Sequence, residues 1–171
     1  MKRVFNLLVV DESGSMSIIE CQALVGINET LTTIQKMQKT HKDMEQRVTF
    51  ITFDSTHKNL FYDNVSAHHI KPLKSRDYNP CGGTPLYDAI GMGIAKINAL
   101  TTEDDSVLVT IITDGEENIA HGMGIDNHLQ FSEDEAGTKA MFARGNRARE
   151  RYNKCRAMAC KMEAGSYFEE K

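Results

Sequence analysis

The run Val4-Phe5-Asn6-Leu7-Leu8-Val9-Val10, which ends at Asp11, constrains this chain most. A nearly unbroken apolar run of this length reads as a strand buried on both faces, as in a parallel sheet. A second such run, Val107 to Thr113, ends at Asp114-Gly115. Between them lie helical periods. Leu24, Ile27, Leu31 and Ile34 recur at three and four residues and predict a helix over 17–39, whose Gly26 would let it pack closely on the sheet. Leu86, Ile90, Ile94 and Ile97 mark the buried side of another helix, with Pro85 at its first position and Thr84 as its cap. Val48 to Phe53 reads as a second strand, Asp54-Ser55-Thr56-His57 as a turn, and Asn59 to Tyr62 as an antiparallel edge strand. Residues 66–80 read as a long polar connection.

The bulk properties narrow the class. A chain of 171 residues suffices for one domain with a core, and 40% hydrophobic with 26% charged residues is ordinary for a globular protein. The net charge of −4 argues against nucleic acid as a partner. No apolar stretch approaches the roughly 18 residues of a membrane span. Met1-Lys2-Arg3 before an apolar run could mimic a leader, but the run ends at Asp11 without a small-residue cleavage site. The expected location is cytoplasmic. Cys21, Cys81, Cys155 and Cys160 include no Cys-x-x-Cys pair, so the sequence carries no zinc signature and reduced thiols are expected. Cys81 is the candidate for redox sensitivity.

Chemistry concentrates in three loops. Asp11, Ser13 and Ser15 follow the first strand, and Gly14 between the serines allows a sharp turn that aims their oxygens at one point. Gly82-Gly83-Thr84-Pro85 precedes a helix, and Asp114 follows a strand. Hard cations such as magnesium take oxygen ligands, and open α/β sheets bind ligands at the carboxyl ends of their strands. A lone Asp-x-Ser-x-Ser is a weak signal, but three separated motifs in one order are specific.

These motifs, within the strings DESGSM, GGTPLYDAIG and TDGEEN, resemble the von Willebrand factor A domain family, and most of all its stand-alone bacterial and phage members. Asp11, Ser13, Ser15, Thr84 and Asp114 match that family's metal-ion-dependent adhesion site one by one. The resemblance implies a three-layer, Rossmann-like open sheet, mostly parallel with one antiparallel edge strand and with helices on both faces. It also implies a bound Mg2+ or Mn2+ that captures an Asp or Glu carboxylate of a protein partner. Asp11, Ser13 and Ser15 are expected to touch the ion directly, and Thr84 and Asp114 directly or through water. With only two carboxylates nearby, the ion stays electrophilic toward a third. No catalytic residue is expected. Two further readings are a regulatory subunit of a larger bacterial or phage machine and a magnesium-dependent phosphohydrolase. The second lacks its acid, since Ser13 stands where an Asp-x-Asp loop carries one. Glu12, Glu116 and Glu117 read as solvated charges, or else as a lid or a selector of a basic rim on the partner. Asp88 suits the first turn of a helix, and the adjacent His68 and His69 read as surface residues.

After Asp114 the chain departs from the family pattern. Glu116-Glu117-Asn118 leads almost at once to residues 119–125, which resemble the end of a later helix, and Leu129 to Phe131 resemble a last short strand. A strand–helix unit is missing, so about five strands are expected where six are usual. The strand at Val107 would then pair with Leu129 to Phe131, or stand as an edge that invites a dimer. The division expected is 1–143 for the shortened domain and 144–171 for a basic helical extension. Ala148, Tyr152, Cys155, Ala159 and Met162 form the stripe of that extension.

Overall fold

The computed structural model describes residues 2–114 and 135–158. The chain runs through β1 (Lys2–Asp11), α1 (Glu20–Thr40), β2 (Met44–Phe53), β3 (Lys58–Ser66), α2 (Leu86–Asn98), β4 (Ser106–Ile112) and α3 (Glu135–Ala157). The strand order is β3-β2-β1-β4. β1 is parallel to both β2 and β4, whereas β3 runs antiparallel along β2. Side chains alternate across a strand, so the central apolar run of β1 feeds two cores. Leu8 and Val10 meet α1 through Ala23, Ile27, Leu31 and Ile34, with Phe142 of α3 in the same cluster. Phe5, Leu7 and Val9 meet α2 through Leu86, Ala89, Ile90 and Ile97. The result is an α/β fold of three layers, with α1 and α3 on one face and α2 on the other. No helix among the described residues is long and apolar enough to cross a membrane.

Several elements differ from their sequence reading for identifiable reasons. A 3₁₀ turn over Gly14–Ile19 takes up the start of the expected first helix. β2 begins four residues earlier than its apolar run, because Met44 and Gln46 are also buried. β3 extends to Ser66 past a register shift, with Asn64 at φ 53°. α2 starts at Leu86; Pro85 is its flanking residue, and Thr84 makes no capping bond. Ile94 is exposed rather than buried, while Gly93 faces the sheet in its place. A Cβ on Gly93 would come within 3.0 Å of Leu7, so the helix rests on this glycine and rolls Ile94 outward. The connection over 67–80 is not merely polar. Ala67, Ile70, Leu73 and Tyr78 are buried, and Asn28 of α1 bonds the backbone of Leu73 through both its amide nitrogen and its oxygen.

Gly26 meets a helix, not the sheet. A Cβ there would lie 2.0 Å from the Phe142 ring, so the two helices cross where α1 has no side chain. α3 is continuous through residues 143 and 144, and the same helix buries Phe142 on one side of that boundary and Ala148, Arg149 and Asn153 on the other. The basic segment up to Ala157 is therefore packed in this core as far as it is described. Tyr152 and Cys155 are half-buried, and Cys155 is disulfide-bonded, so the expectation of free thiols holds for Cys21 and Cys81 alone among the described residues. Ala159 and Met162 of the expected stripe lie outside those residues, as does the strand expected at Leu129 to Phe131. Within them, β4 has β1 as its sheet neighbour, and its Val107 and Val109 are exposed.

A buried polar network locks α3 across the sheet. Arg149 donates through Nη1 to Asn6 Oδ1 at 2.6 Å and through Nη2 to Thr110 Oγ1. Asn6 donates to Gln46 Oε1 at 3.0 Å, and Gln46 donates to Asn153 Oδ1 at 2.7 Å. One helix is thus bonded to β1, β2 and β4 together.

Replacing Gly26 with alanine should destabilise the protein. Better helix propensity contributes about 1 kcal/mol, but crowding against Phe142 costs about 1–3 kcal/mol. The sign should reverse in a Phe142→Ala background, as read by urea denaturation. Stabilisation by Gly26→Ala alone would mean that α3 does not cross α1 at this point. Arg149→Ala should cost about 1–3 kcal/mol by orphaning buried acceptors, whereas Lys154→Ala on the exposed side should change stability by less than about 0.5 kcal/mol.

Candidate functional site

β1, β2 and β4 point their carboxyl ends the same way, and Asp11 of β1 lies in register with Phe53 of β2. Asp11 closes a strand covered on both sides, so its carboxylate is fully buried. Each of its oxygens is held. Oδ1 accepts the Ser13 N–H at 2.8 Å, a turn closed by its own side chain, and Oδ2 accepts the Thr113 hydroxyl at 2.7 Å. Ser13 Oγ and Ser15 Oγ stand 3.1 Å apart, the first buried and the second exposed. Carboxylate and hydroxyls thus form a graded set from interior to surface.

Two backbone bonds clamp the loop before α2 against this one. Gly14 N–H donates to Gly82 O at 3.0 Å, and Cys81 N–H donates to Glu12 O at 2.8 Å. Gly82 sits at φ 72°, the left-handed region open to glycine, and a Cβ would lie 2.6 Å from Ser55 Oγ. Ser55 Oγ in turn accepts the Gly83 N–H at 2.9 Å. Thr84 follows two residues past the clamp and is exposed; no hydrogen bond joins it to Asp11, Ser13 or Ser15 among the described residues. Asp114 is half-buried at the end of β4, near enough to Asp11 for its charge to act there.

Burial and a like charge at this end of the sheet both disfavour the ionised form of Asp11. Burial pushes the Asp11 carboxyl above the ordinary aspartate range against the bonds from Ser13 and Thr113, and the Asp114 charge pushes it further. The Tyr78 hydroxyl donates to Asp11 O at 2.7 Å. Its phenol is pushed far up, first by burial and then by the charges of Asp11, Glu12, Asp114 and Glu20. Among the described residues no three His, Cys, Asp or Glu side chains gather as a metal-holding group. The Asp11 set is of another kind, two carboxylates with hydroxyls.

Of the five residues singled out in the sequence, the structure groups Asp11, Ser13 and Ser15, puts Asp114 within electrostatic reach of Asp11, and sets Thr84 on the adjoining loop. Sequence reasoning missed Thr113 and Tyr78, which position Asp11, and read Asp54 only as a turn former. Although burial pushes it up, bonds from the Thr56 hydroxyl and from the Thr56 and His57 N–H groups hold the Asp54 carboxyl well below the usual range. Cys81 donates to Asp54 Oδ2 at 3.5 Å, which pushes the thiol up, the direction opposite to a reactive thiolate. Glu12 is not solvated as expected; it is buried, its Oε1 accepting the Asn79 N–H at 2.6 Å. Glu116 and Glu117 lie outside the described residues. Asp88 sits exposed in the first turn of α2, and His68 and His69 are exposed.

No family model matches the sequence, and no curated protein matches it. Among solved structures, the vWF domain of the type V pili tip protein Mfa5 from Porphyromonas gingivalis is similar, with a TM-score of 0.52 and 16% identity over 66% of this chain and 38% of that one. A structure of three N-terminal domains of the same protein gives a TM-score of 0.49 at 16% identity, over 62% of this chain and 19% of that one. This chain thus matches well under half the length of either. At this identity the likeness shows the fold, a von Willebrand factor A-like one.

Gly82→Ala should cost about 1–2 kcal/mol from its backbone conformation alone, with a further loss from the Ser55 contact. Urea denaturation should show the destabilisation, and Ser55→Gly should relieve only the part due to the contact. An alanine variant as stable as the native protein would remove the clamp as a constraint on this loop.

Proposed function

We propose that this chain is a protein-binding module that captures an Asp or Glu carboxylate of a partner through a divalent cation, Mg2+ or Mn2+. Asp11, Ser13, Ser15, Thr84 and Asp114 would hold the ion. One observation carries the reading: a fully buried Asp11 carboxylate shares its loop with two serine hydroxyls that stand 3.1 Å from each other, and the charge of a second carboxylate, Asp114, acts on it. The donor set fits the group. All five donors are oxygens, as a hard cation requires, and the charge pressure on Asp11 is what a cation would relieve. The similarity to a domain of a pilus tip protein fits an adhesive role.

The ion, when bound, supplies an electrophilic oxygen-seeking centre for a partner carboxylate. The chain's own residues do the rest. The Ser13 N–H and the Thr113 hydroxyl orient Asp11, Tyr78 holds the backbone behind it, and the Gly14–Gly82 bond ties the loop that carries Thr84 to the Asp11 loop. Ser13 and Ser15 add oxygens without charge. The described bonds pair Ser13 with Ser15 and with no histidine, so the reading is of a binder rather than a catalyst.

Magnesium should bind and stabilise the fold, by about 2.7 kcal/mol at about 100 times its dissociation constant. Asp11→Ala should abolish binding, and Asp88→Ala should leave it unchanged, because Asp88 is exposed on α2. The pH dependence follows from Asp11. Its raised folded-state pKa means that the ion-free fold holds the Asp11 proton more tightly than the unfolded chain does. That contribution to stability is present at low pH and lost as pH rises through the raised value. The ion binds the deprotonated form, so its stabilisation should grow over the same interval. Calorimetry showing native magnesium affinity in Asp11→Ala would sink the assignment.

A further inference from the structure

α3 ends where the sequence carries no signal for an end. Its last residue is Ala157, and Met158 already lies in a turn, its N–H donating back to Lys154 O at 3.1 Å. Helices commonly stop at a glycine or asparagine in the left-handed region, or ahead of a proline. Here no asparagine or proline follows Ala157, and the next glycine is Gly165. The residues before that glycine, Arg156-Ala-Met-Ala-Cys-Lys-Met-Glu-Ala164, are nearly all strong helix formers. The stripe of Cys155, Ala159 and Met162 read in the sequence runs straight through the observed end.

A covalent bond supplies the missing cause. Cys155 is disulfide-bonded. The sequence has four cysteines, and Cys21 and Cys81 are free, which leaves Cys160 as the partner. In an α-helix five residues advance about 7.5 Å along the axis and turn about 140° away from the starting face. A disulfide spans at most about 7 Å between Cα atoms. A helix running through both cysteines could not carry the bridge. The bridge therefore requires a break between residues 155 and 160, and the end at Ala157 falls inside that interval.

We infer that Cys155 and Cys160 form a redox-controlled stop for α3. Oxidised, the bridge holds the helix end at Ala157. Reduced, the constraint is gone and α3 continues through residues 158–164, about two further turns. The conversion is thiol–disulfide exchange with a low-molecular-weight disulfide such as oxidised glutathione. One cysteine thiolate attacks it, forming a mixed disulfide and releasing one small thiol; the second thiolate displaces the other and closes the bridge. Two electrons and two protons pass from the protein to the small disulfide, which becomes two thiols. The affected end of α3 is tied to the fold, since Ala157 packs against Val4, Met44 and Leu108 and Arg156 Nη2 donates to Asp104 O at 3.3 Å. Those residues belong to the amino-terminal halves of β1, β2 and β4 and to the loop before β4, whereas Asp11 closes β1 at its carboxyl end. The stop and the candidate ion site can therefore hold or fail separately.

Two measurements on the full chain test this. After free thiols are alkylated, the protein equilibrated with oxidised glutathione is digested with trypsin. Cleavage after Lys154, Arg156 and Lys161 should release Cys155-Arg156 joined to residues 157–161, a species that reduction splits. Its absence, or Cys155 linked to another cysteine, would overturn the pair. ¹³Cα shifts are then compared between protein equilibrated with oxidised and with reduced glutathione. Helical shifts should end at Ala157 in the oxidised protein and continue to about residue 164, just before Gly165, in the reduced one. Cys160→Ser should show the longer helix under both conditions, and Cys21→Ser should switch as the native chain does. The glutathione comparison needs no variant and so guards against a Cys160→Ser protein that misfolds. One helix end in both states would overturn the stop, as would a folded Cys160→Ser protein whose helix ends at Ala157 or a Cys21→Ser protein that no longer switches.

Discussion

A strand hydrogen-bonded on both edges and covered on both faces carries its last residue into the interior whatever that residue is. β1 is such a strand, with β2 and β4 at its sides, α1 and α3 over one face and α2 over the other. Its apolar residues profit from this position. Asp11 does not, because a buried carboxylate is costly unless it is bonded or balanced by a cation. The arrangement at this end of the molecule answers that cost: the Ser13 N–H, the Thr113 hydroxyl and the Tyr78 contact are all spent on one residue. What those bonds leave uncompensated is charge, and the proposed ion-binding role grows from that remainder.

The same demand organises the loops around it. A short Gly-rich segment can lie against the Asp11 loop only if its backbone approaches closely, and Gly82 permits this by adopting a positive φ next to Ser55. The 54–57 turn supports that segment from behind, its own carboxylate held by three bonds to Oδ1. Three loops far apart in sequence thus become one surface, and all three contribute to the cleft that Glu12 lines.

In the middle of β1, at Asn6, the packing against α3 is polar rather than apolar. Asn6, Gln46, Asn153 and Arg149 are almost wholly buried and are joined by hydrogen bonds. Such a network specifies orientation more sharply than an apolar contact, since each bond has a direction. It fixes α3 over the sheet where a uniform hydrophobic face would let it slide. The Gly26–Phe142 contact fixes the same helix against α1 by shape.

The sequence by itself determined the layer architecture and the identity of the candidate donors. Long apolar runs read as strands of a parallel sheet, helical periods between them read as the crossovers, and an acid or hydroxyl just past a strand end stands where such sheets bind ligands. These signals are local, written in the spacing of neighbouring residues. What only the tertiary structure decided is non-local. Arg149 falls in what the sequence offers only as a basic helical extension, yet it is buried, with Asn6 and Thr110, more than a hundred and about forty positions away respectively, accepting hydrogen bonds from it. Glu12 reads as a surface acid, yet the Asn79 N–H draws it inward. Ile94 reads as core, yet Gly93 lets the helix settle with that side chain outside. In each case the outcome depends on a partner distant in the chain, and no periodicity within a single segment carries that information.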